Sequence, residues 1–219
     1  HGTELVKMSS WSKAVSEAVQ RAEARDSSAS INELRALADR AYRRVFEGNW
    51  RDGWEKLAAE IPDNTDPERV AFSRKVTAFM DRRTTLSDPQ RINLENPFLG
   101  LDMHALSAIK YDESGAFTTN ERRAAALERS RQYREWSIQT HVNSKAERQQ
   151  TGSRMQTNAE TLAYYESCPP VERAQFPDGY LDLLRSRSLP SAHTDCSTDD
   201  TPPMMLSLLM RWMLIANKH

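Results

Sequence analysis

The segment 193–196 holds the residue types of a cysteine nucleophile site, in the order His-Thr-Asp-Cys. A catalytic cysteine needs a base within hydrogen-bond reach and a neighbour that stabilises its thiolate. Asp195, Asp199 and Asp200 would instead disfavour a thiolate at Cys196, and the segment has no helical periodicity to fix a geometry. We therefore expect an exposed loop cysteine and predict no catalytic residue. An enzyme acting through Cys196 stays open as the alternative.

Metal and phosphate chemistry lack the spacing that they require. His104, His141 and His193 are scattered, with no pair three or four residues apart. Residues 63–66 (Asp-Asn-Thr-Asp) resemble the head of a calcium loop, but the glycine and the closing glutamate of such a loop are missing. With only 7 Gly in 219 residues, the chain offers no glycine-rich phosphate loop either. We predict no metal and no cofactor.

Leu184, Arg185 and Ser186 are similar to the arginine-finger motif of helical bacterial GTPase-activating domains. The glycine that precedes the motif in that family is absent, and Arg185 falls inside a helical pattern. An arginine finger stabilises phosphoryl charge in a partner's site, so its side chain must be exposed. The resemblance implies a GTPase regulator acting through Arg185, which is a second form of the enzyme alternative.

The charge is balanced, with 30 basic and 31 acidic residues. Paired arginines occur at 43–44, 82–83 and 122–123, and basic residues of this kind can bind nucleic acid. However, the excess of basic residues in 118–154 nearly cancels the excess of acidic residues in 155–202. Pairing within the molecule is the simpler explanation, and nucleic-acid binding is kept only as a further alternative.

The composition predicts an all-α fold. Gly, Val and Ile are scarce, whereas Ala, Leu and Arg, which favour helices, are abundant. The apolar run Pro203–Ala216 is too short to cross a membrane and contains Arg211. The two cysteines are too few for a disulfide framework, which favours a reducing compartment.

Helix-start signals and apolar periodicity predict a compact multi-helix bundle. Residues 1–7 are typical of a tag and cloning remnant before a native start at Met8. We expect an N-terminal four-helix unit at 8–83, whose third helix covers 50–61 and whose second begins with a capping box at Ser30 and Glu33. An irregular connector at 84–100 follows, in which Ile92, Leu94, Phe98 and Leu99 are expected to pack.

A C-terminal helical unit is predicted at 101–219, although both units could form one continuous domain. Thr118 and Glu121 form a capping box that opens a polar helix reaching to about residue 150. Its thin apolar stripe consists of Ala124, Leu127, Ile138 and Val142. The helix is therefore either a packed amphipathic arm or two helices broken near His141. Residues 189–203 are predicted to form a mobile loop, and 204–217 a closing helix.

The closing helix has the most unusual composition of the chain, because it is apolar on nearly all sides. Such a helix is normally the central helix of a bundle, but methionine-rich surfaces also bind partners, and an oligomer interface is a third interpretation. The candidate interaction surface is formed by its methionine, leucine and tryptophan side chains: Met204, Met205, Leu208, Leu209, Trp212 and Met213.

Residues 96–125 and 170–180 resemble segments of pseudomonad proteins that have no known activity, in the motifs Asn-Pro-Phe at 96–98, Tyr-Asp-Glu-Ser-Gly-Ala-Phe-Thr at 111–118 and Pro-Val-Glu-Arg at 170–173. The resemblance implies a Gram-negative origin, where effectors delivered into host cells are one context. We expect a non-enzymatic helical protein that binds another protein, located in the bacterial cytoplasm or exported into a host cell.

Overall fold

The computed structural model describes residues 9–47, 53–87, 90 and 93–188. All of the regular structure among them is helical, so the predicted all-α bundle is confirmed. The helices are α1 (Ser10–Ser28), α2 (Ile31–Tyr42, extended by a π-helical turn at Arg43–Glu47), α3 (Trp54–Ala59), α4 (Pro67–Thr85), α5 (Met103–Lys110), α6 (Thr119–Thr151), α7 (Met155–Ser167), α8 (Pro170–Arg173) and α9 (Tyr180–Ser188). The predicted closing helix at 204–217 and the loop at 189–203 lie outside the described residues.

Local sequence signals account for most helix starts. Both predicted capping boxes form, with Ser30 and Glu33 at α2 and Thr118 and Glu121 at α6. Asp66 caps α4, where Pro occupies the first turn. In each case a side-chain oxygen satisfies backbone N–H groups that have no partner inside the helix.

The third helix is shorter than predicted, because α3 covers only Trp54–Ala59. Its N-cap, Gly53, has no side chain to cap the helix, and Glu60 is already extended. Pro62 disfavours helical geometry at Ile61, the residue before it. Ile61, which the sequence assigned to this helix, lies outside it, and its side chain is 58% exposed.

The polar helix α6 is one continuous helix of 33 residues, about 50 Å long, and it is not broken near His141. Gly152 ends it in the left-handed conformation, with φ +72°. The predicted apolar stripe is only partly correct: Ala124 is fully buried, but Ile138 and Val142 are 61% and 54% exposed.

The largest apolar core joins α1, α4, α5 and the first half of α6. Trp11 stacks on Phe72 with ring centroids 4.0 Å apart, and Phe98 packs beside them at 5.2 Å from Trp11. The core therefore takes residues from both sides of the predicted connector at 84–100. Within that connector, Phe98 is buried as expected, Leu94 is partly buried, Leu99 is exposed, and Ile92 lies outside the described residues.

A second packing region lies at the middle of α6, where α7 folds back along it and α9 packs on α7. Its centre is the fully buried ring of Tyr165. Trp136 stacks on Tyr164 with centroids 3.7 Å apart, and Phe176 meets Tyr165 edge-on at 5.2 Å. Among the residues described, no helix is both long and apolar enough to span a membrane.

Candidate functional site

The first three turns of α6 are buried on nearly every side although they contain five charged residues. Arg69 of α4 donates to both carboxylate oxygens of Glu121, at 2.6 and 2.8 Å, and to the carbonyl of Ala116 at 2.6 Å. Both charged side chains are fully buried. Glu121 also accepts from the backbone N–H of Thr118, at 2.9 Å. This ion pair therefore connects α4 to the capped start of α6. Both carboxylate oxygens of Glu121 already accept hydrogen bonds within the protein.

A second buried ion pair joins α6 to α8. Arg129 donates to Glu172 at 2.8 Å, to the hydroxyl of Tyr164 at 3.0 Å and to the sulfur of Cys168 at 3.6 Å. Burial by itself would lower the pKa of the Arg129 guanidinium, but Glu172 and Tyr164 raise it above its ordinary value. Arg129 is therefore a permanent buried cation.

Cys168, at the C-cap of α7, is the free cysteine of the described residues. Burial, followed by the charge of Glu172, raises the pKa of its thiol to about 12, although Arg129 opposes this effect. A thiol in this state is protonated at neutral pH and is a poor nucleophile. Cys168 is therefore a packing residue at the end of a helix.

Lys110 is also buried, with 5% of its surface exposed. Burial lowers the pKa of its amine to about 8, with Glu172 opposing and Arg129 adding to the decrease. Its Nζ lies 4.6 Å from the centroid of the Tyr111 ring. The hydroxyl of Tyr111 accepts a hydrogen bond from Gln175 at 2.9 Å, so these polar groups connect α5 to the segment after α8.

The sequence predicted no metal ligands, and the acidic segment 63–66 has local structural roles. The amide oxygen of Asn64 accepts from the backbone N–H of Asp66 at 2.9 Å, and Asp66 accepts from the N–H of Glu68 at 3.0 Å. Over the described ranges, no three His, Cys, Asp or Glu side chains are grouped in a way that could hold a metal.

Arg185 lies within α9 and half of its side chain is exposed. It donates to Glu166 at 2.7 Å and to Asp182 at 2.7 Å. Its guanidinium is thus held on the protein's own surface by two carboxylates. The other reactive candidate, Cys196 with His193, lies outside the described residues.

The paired arginines do not form one basic surface. Arg43 and Arg44 are exposed, whereas Arg122 and Arg123 are buried at 3% and 7% exposure. The Nε of Arg122 donates to the carbonyl of Lys110 at 3.1 Å. A basic pair inside the bundle cannot contribute to a nucleic-acid-binding face.

The second half of α6, from residue 134 to 151, exposes most of its surface. The half-buried residues of this stretch lie on the side that faces α7: Trp136, Ser137, Thr140, Ser144 and Glu147. At about 100° per residue, Ile138 and Val142 point away from that side and lie next to each other, one turn apart. They form an exposed apolar pair in a helix that is otherwise polar.

Basic side chains lie along one edge of this apolar pair. Arg134, Lys145 and Arg148 are exposed and form no ion pair with any residue that the structure describes. We call this surface the α6 outer face; it consists of Arg134, Ile138, His141, Val142, Lys145 and Arg148. The nearby acid, Glu135, is already paired with Arg131. The face is therefore apolar at its centre and cationic at its edge.

The sequence placed Ile138 and Val142 in the thin apolar stripe of a helix that was either packed or broken near His141. The composition around these two residues could have indicated that they are exposed. Within 134–151, Ala146 is the one other apolar residue on the same side of the helix, so the apolar stripe does not continue. The predicted surface from Met204 to Met213 lies outside the described residues and stays a prediction.

Comparison with known proteins gives no match to a family model, to a curated protein or to a solved structure.

Proposed function

We propose that this chain is a non-enzymatic helical protein that binds another protein through the α6 outer face. The single observation behind the proposal is the exposure of Ile138 and Val142, at 61% and 54%, next to each other on the second half of α6. The other strongly exposed apolar residues, such as Ile61 and Leu99, belong to other elements of the fold. Clustered apolar surface with a polar rim is typical of binding sites.

The state of the reactive side chains supports binding rather than catalysis. Cys168 is protonated and buried, and Arg185 is paired with Glu166 and Asp182. The buried thiol is not prepared to attack a substrate, and Arg185 would have to exchange its two surface carboxylates for a partner's phosphate. The enzyme alternative through Cys196 concerns a residue outside the described part of the chain.

The chemistry of the face defines its partner. Ile138 and Val142 would contact apolar side chains, and the cations Arg134, Lys145 and Arg148 would meet carboxylates. An amphipathic segment with an apolar stripe and flanking Asp or Glu residues meets both requirements. Following the resemblance to pseudomonad proteins, we place this binding activity in a Gram-negative bacterium, in an effector or adaptor that acts in the bacterial or the host cytoplasm.

The test uses the full chain with a photo-crosslinking amino acid at Gln139, beside the face. We expect a discrete crosslinked protein from bacterial or host extract. Crosslinking should be lost in the Ile138→Asp/Val142→Asp variant and should weaken as salt rises, since the edge of the face is charged. Ile61→Asp and Leu99→Asp are the matched controls, because they change equally exposed apolar residues elsewhere.

The captured protein is then purified, and its affinity for the full chain and for each variant is measured by calorimetry. A loss of affinity of 10-fold or more for the double variant, with the controls unchanged, supports the proposal. Equal affinity for all variants would contradict it.

A further inference from the structure

The α6 outer face and the C-terminal segment have complementary chemistry. Residues 189–203 contain three aspartates and no lysine or arginine, and residues 204–216 are mainly Met and Leu with one tryptophan. The face presents three cations along one edge of an apolar pair. An acidic stretch followed by an apolar stretch is the sequence that such a face would bind.

The described chain ends level with this face along α6, but on the α7 side of the helix. The carbonyl of Arg187, one residue before the end of α9, accepts a hydrogen bond from the side chain of Asn158 in the first turns of α7. The neighbouring Thr157 donates through its backbone N–H to Glu147 of α6, at 2.9 Å. Glu147 is five residues beyond Val142, or about 7.5 Å along the helix. The segment therefore leaves the bundle at the same half of α6 that bears the face, and it has to pass around the helix to reach the face.

The connection is also long enough. The 15 residues between Ser188 and Met204 can span up to about 50 Å when extended. A short tether holds a segment at an effective concentration on the order of 1 mM. Even a contact with a Kd of about 100 μM would then be formed in most molecules.

We infer that residues 189–217 of this chain bind its own α6 outer face. The aspartates at 195, 199 and 200 approach Arg134, Lys145 and Arg148, and the apolar side chains from Met204 onward cover Ile138 and Val142. A second copy of the face is a poorer occupant, because two cationic edges would oppose each other. In consequence, a protein partner must displace the segment before it can bind. That regulatory consequence rests on the proposed function, whereas the contact itself does not.

The contact is tested in the full chain with the native Cys196 as a probe. A Gln149→Cys substitution places a thiol on the same side of α6 as Val142, two turns further along, and Ala159→Cys places one on α7 beside the exit point, away from the face. Each variant is treated with oxidised glutathione, and disulfide formation is followed by mass spectrometry. Cys168 does not interfere, because it is buried and protonated.

We expect the Gln149→Cys variant to form its internal disulfide with Cys196 at least 10-fold faster than the Ala159→Cys variant. Adding Ile138→Asp/Val142→Asp should reduce the faster rate to that of the control. Equal rates in the two variants, or disulfides only between molecules, would overturn the inference.

The two proposals fail separately. A selective internal disulfide without any effect of the face on partner binding refutes the proposed function and leaves the contact. Loss of partner binding without a selective disulfide refutes the contact and leaves the function.

Discussion

Replacing Arg69 with methionine should be among the most destabilising single changes in the bundle. The change removes two hydrogen bonds of 2.6 and 2.8 Å to Glu121 and one of 2.6 Å to the carbonyl of Ala116. The Glu121 carboxylate would remain fully buried without its counter-charge. Breaking a buried pair in this way costs about 3–5 kcal/mol of unfolding free energy. At a urea m-value of about 2–3 kcal/mol/M, the midpoint should fall by roughly 1–2 M.

The matched control is a second bidentate pair on the surface. Arg40 donates to Glu113 at 3.0 and 3.1 Å, but its side chain is 55% exposed and that of Glu113 is 44% exposed. Water replaces the lost partner there, so Arg40→Met should cost only about 0.2–1 kcal/mol. Urea unfolding followed by circular dichroism measures both. If Arg69→Met costs no more than Arg40→Met, burial does not strengthen the Arg69–Glu121 ion pair. In an Arg69→Met/Glu121→Gln variant, the neutral amide should recover part of the loss.

Two further predictions concern the buried amine of Lys110 and the glycines at 100 and 115. Because burial lowers the pKa of Lys110 from 10.5 to about 8, the unfolded chain binds more protons between these values, and stability should rise with pH across that window. Lys110→Met should stabilise the protein by about 3 kcal/mol at pH 7 and by little near pH 10.5. Urea unfolding at several pH values measures this difference. A stabilisation that does not change with pH would contradict the prediction. Gly115 and Gly100 share a φ of +91°, but only at Gly115 would a Cβ meet a side chain, 2.3 Å from a carboxylate oxygen of Asp63. Thermal unfolding should therefore show that Gly100→Ala lowers the unfolding free energy by roughly 1–2 kcal/mol and that Gly115→Ala lowers it further. Equal losses of stability in the two variants would mean that Asp63 moves aside freely.

The helix starts were largely determined by the sequence, because capping depends on residues three positions apart. Ser30 with Glu33 and Thr118 with Glu121 form their capping boxes within a few residues of chain. The all-α class follows from composition in the same local way. The short third helix was mispredicted because apolar periodicity at 50–61 says nothing about a missing N-cap side chain at Gly53.

The tertiary structure alone decided which polar residues are buried and which apolar residues are exposed. In α6, Glu121 and Arg129 are inside because Arg69 and Glu172 come from distant parts of the chain to neutralise them. Ile138 and Val142 are outside because α7 packs on the opposite side of the same helix. Helical periodicity groups residues onto one side of a helix, but only the neighbouring elements determine whether that side is covered. The candidate site is the place where this distinction matters most, since the sequence groups Ile138 and Val142 into one apolar stripe and only the packing of α7 leaves them exposed.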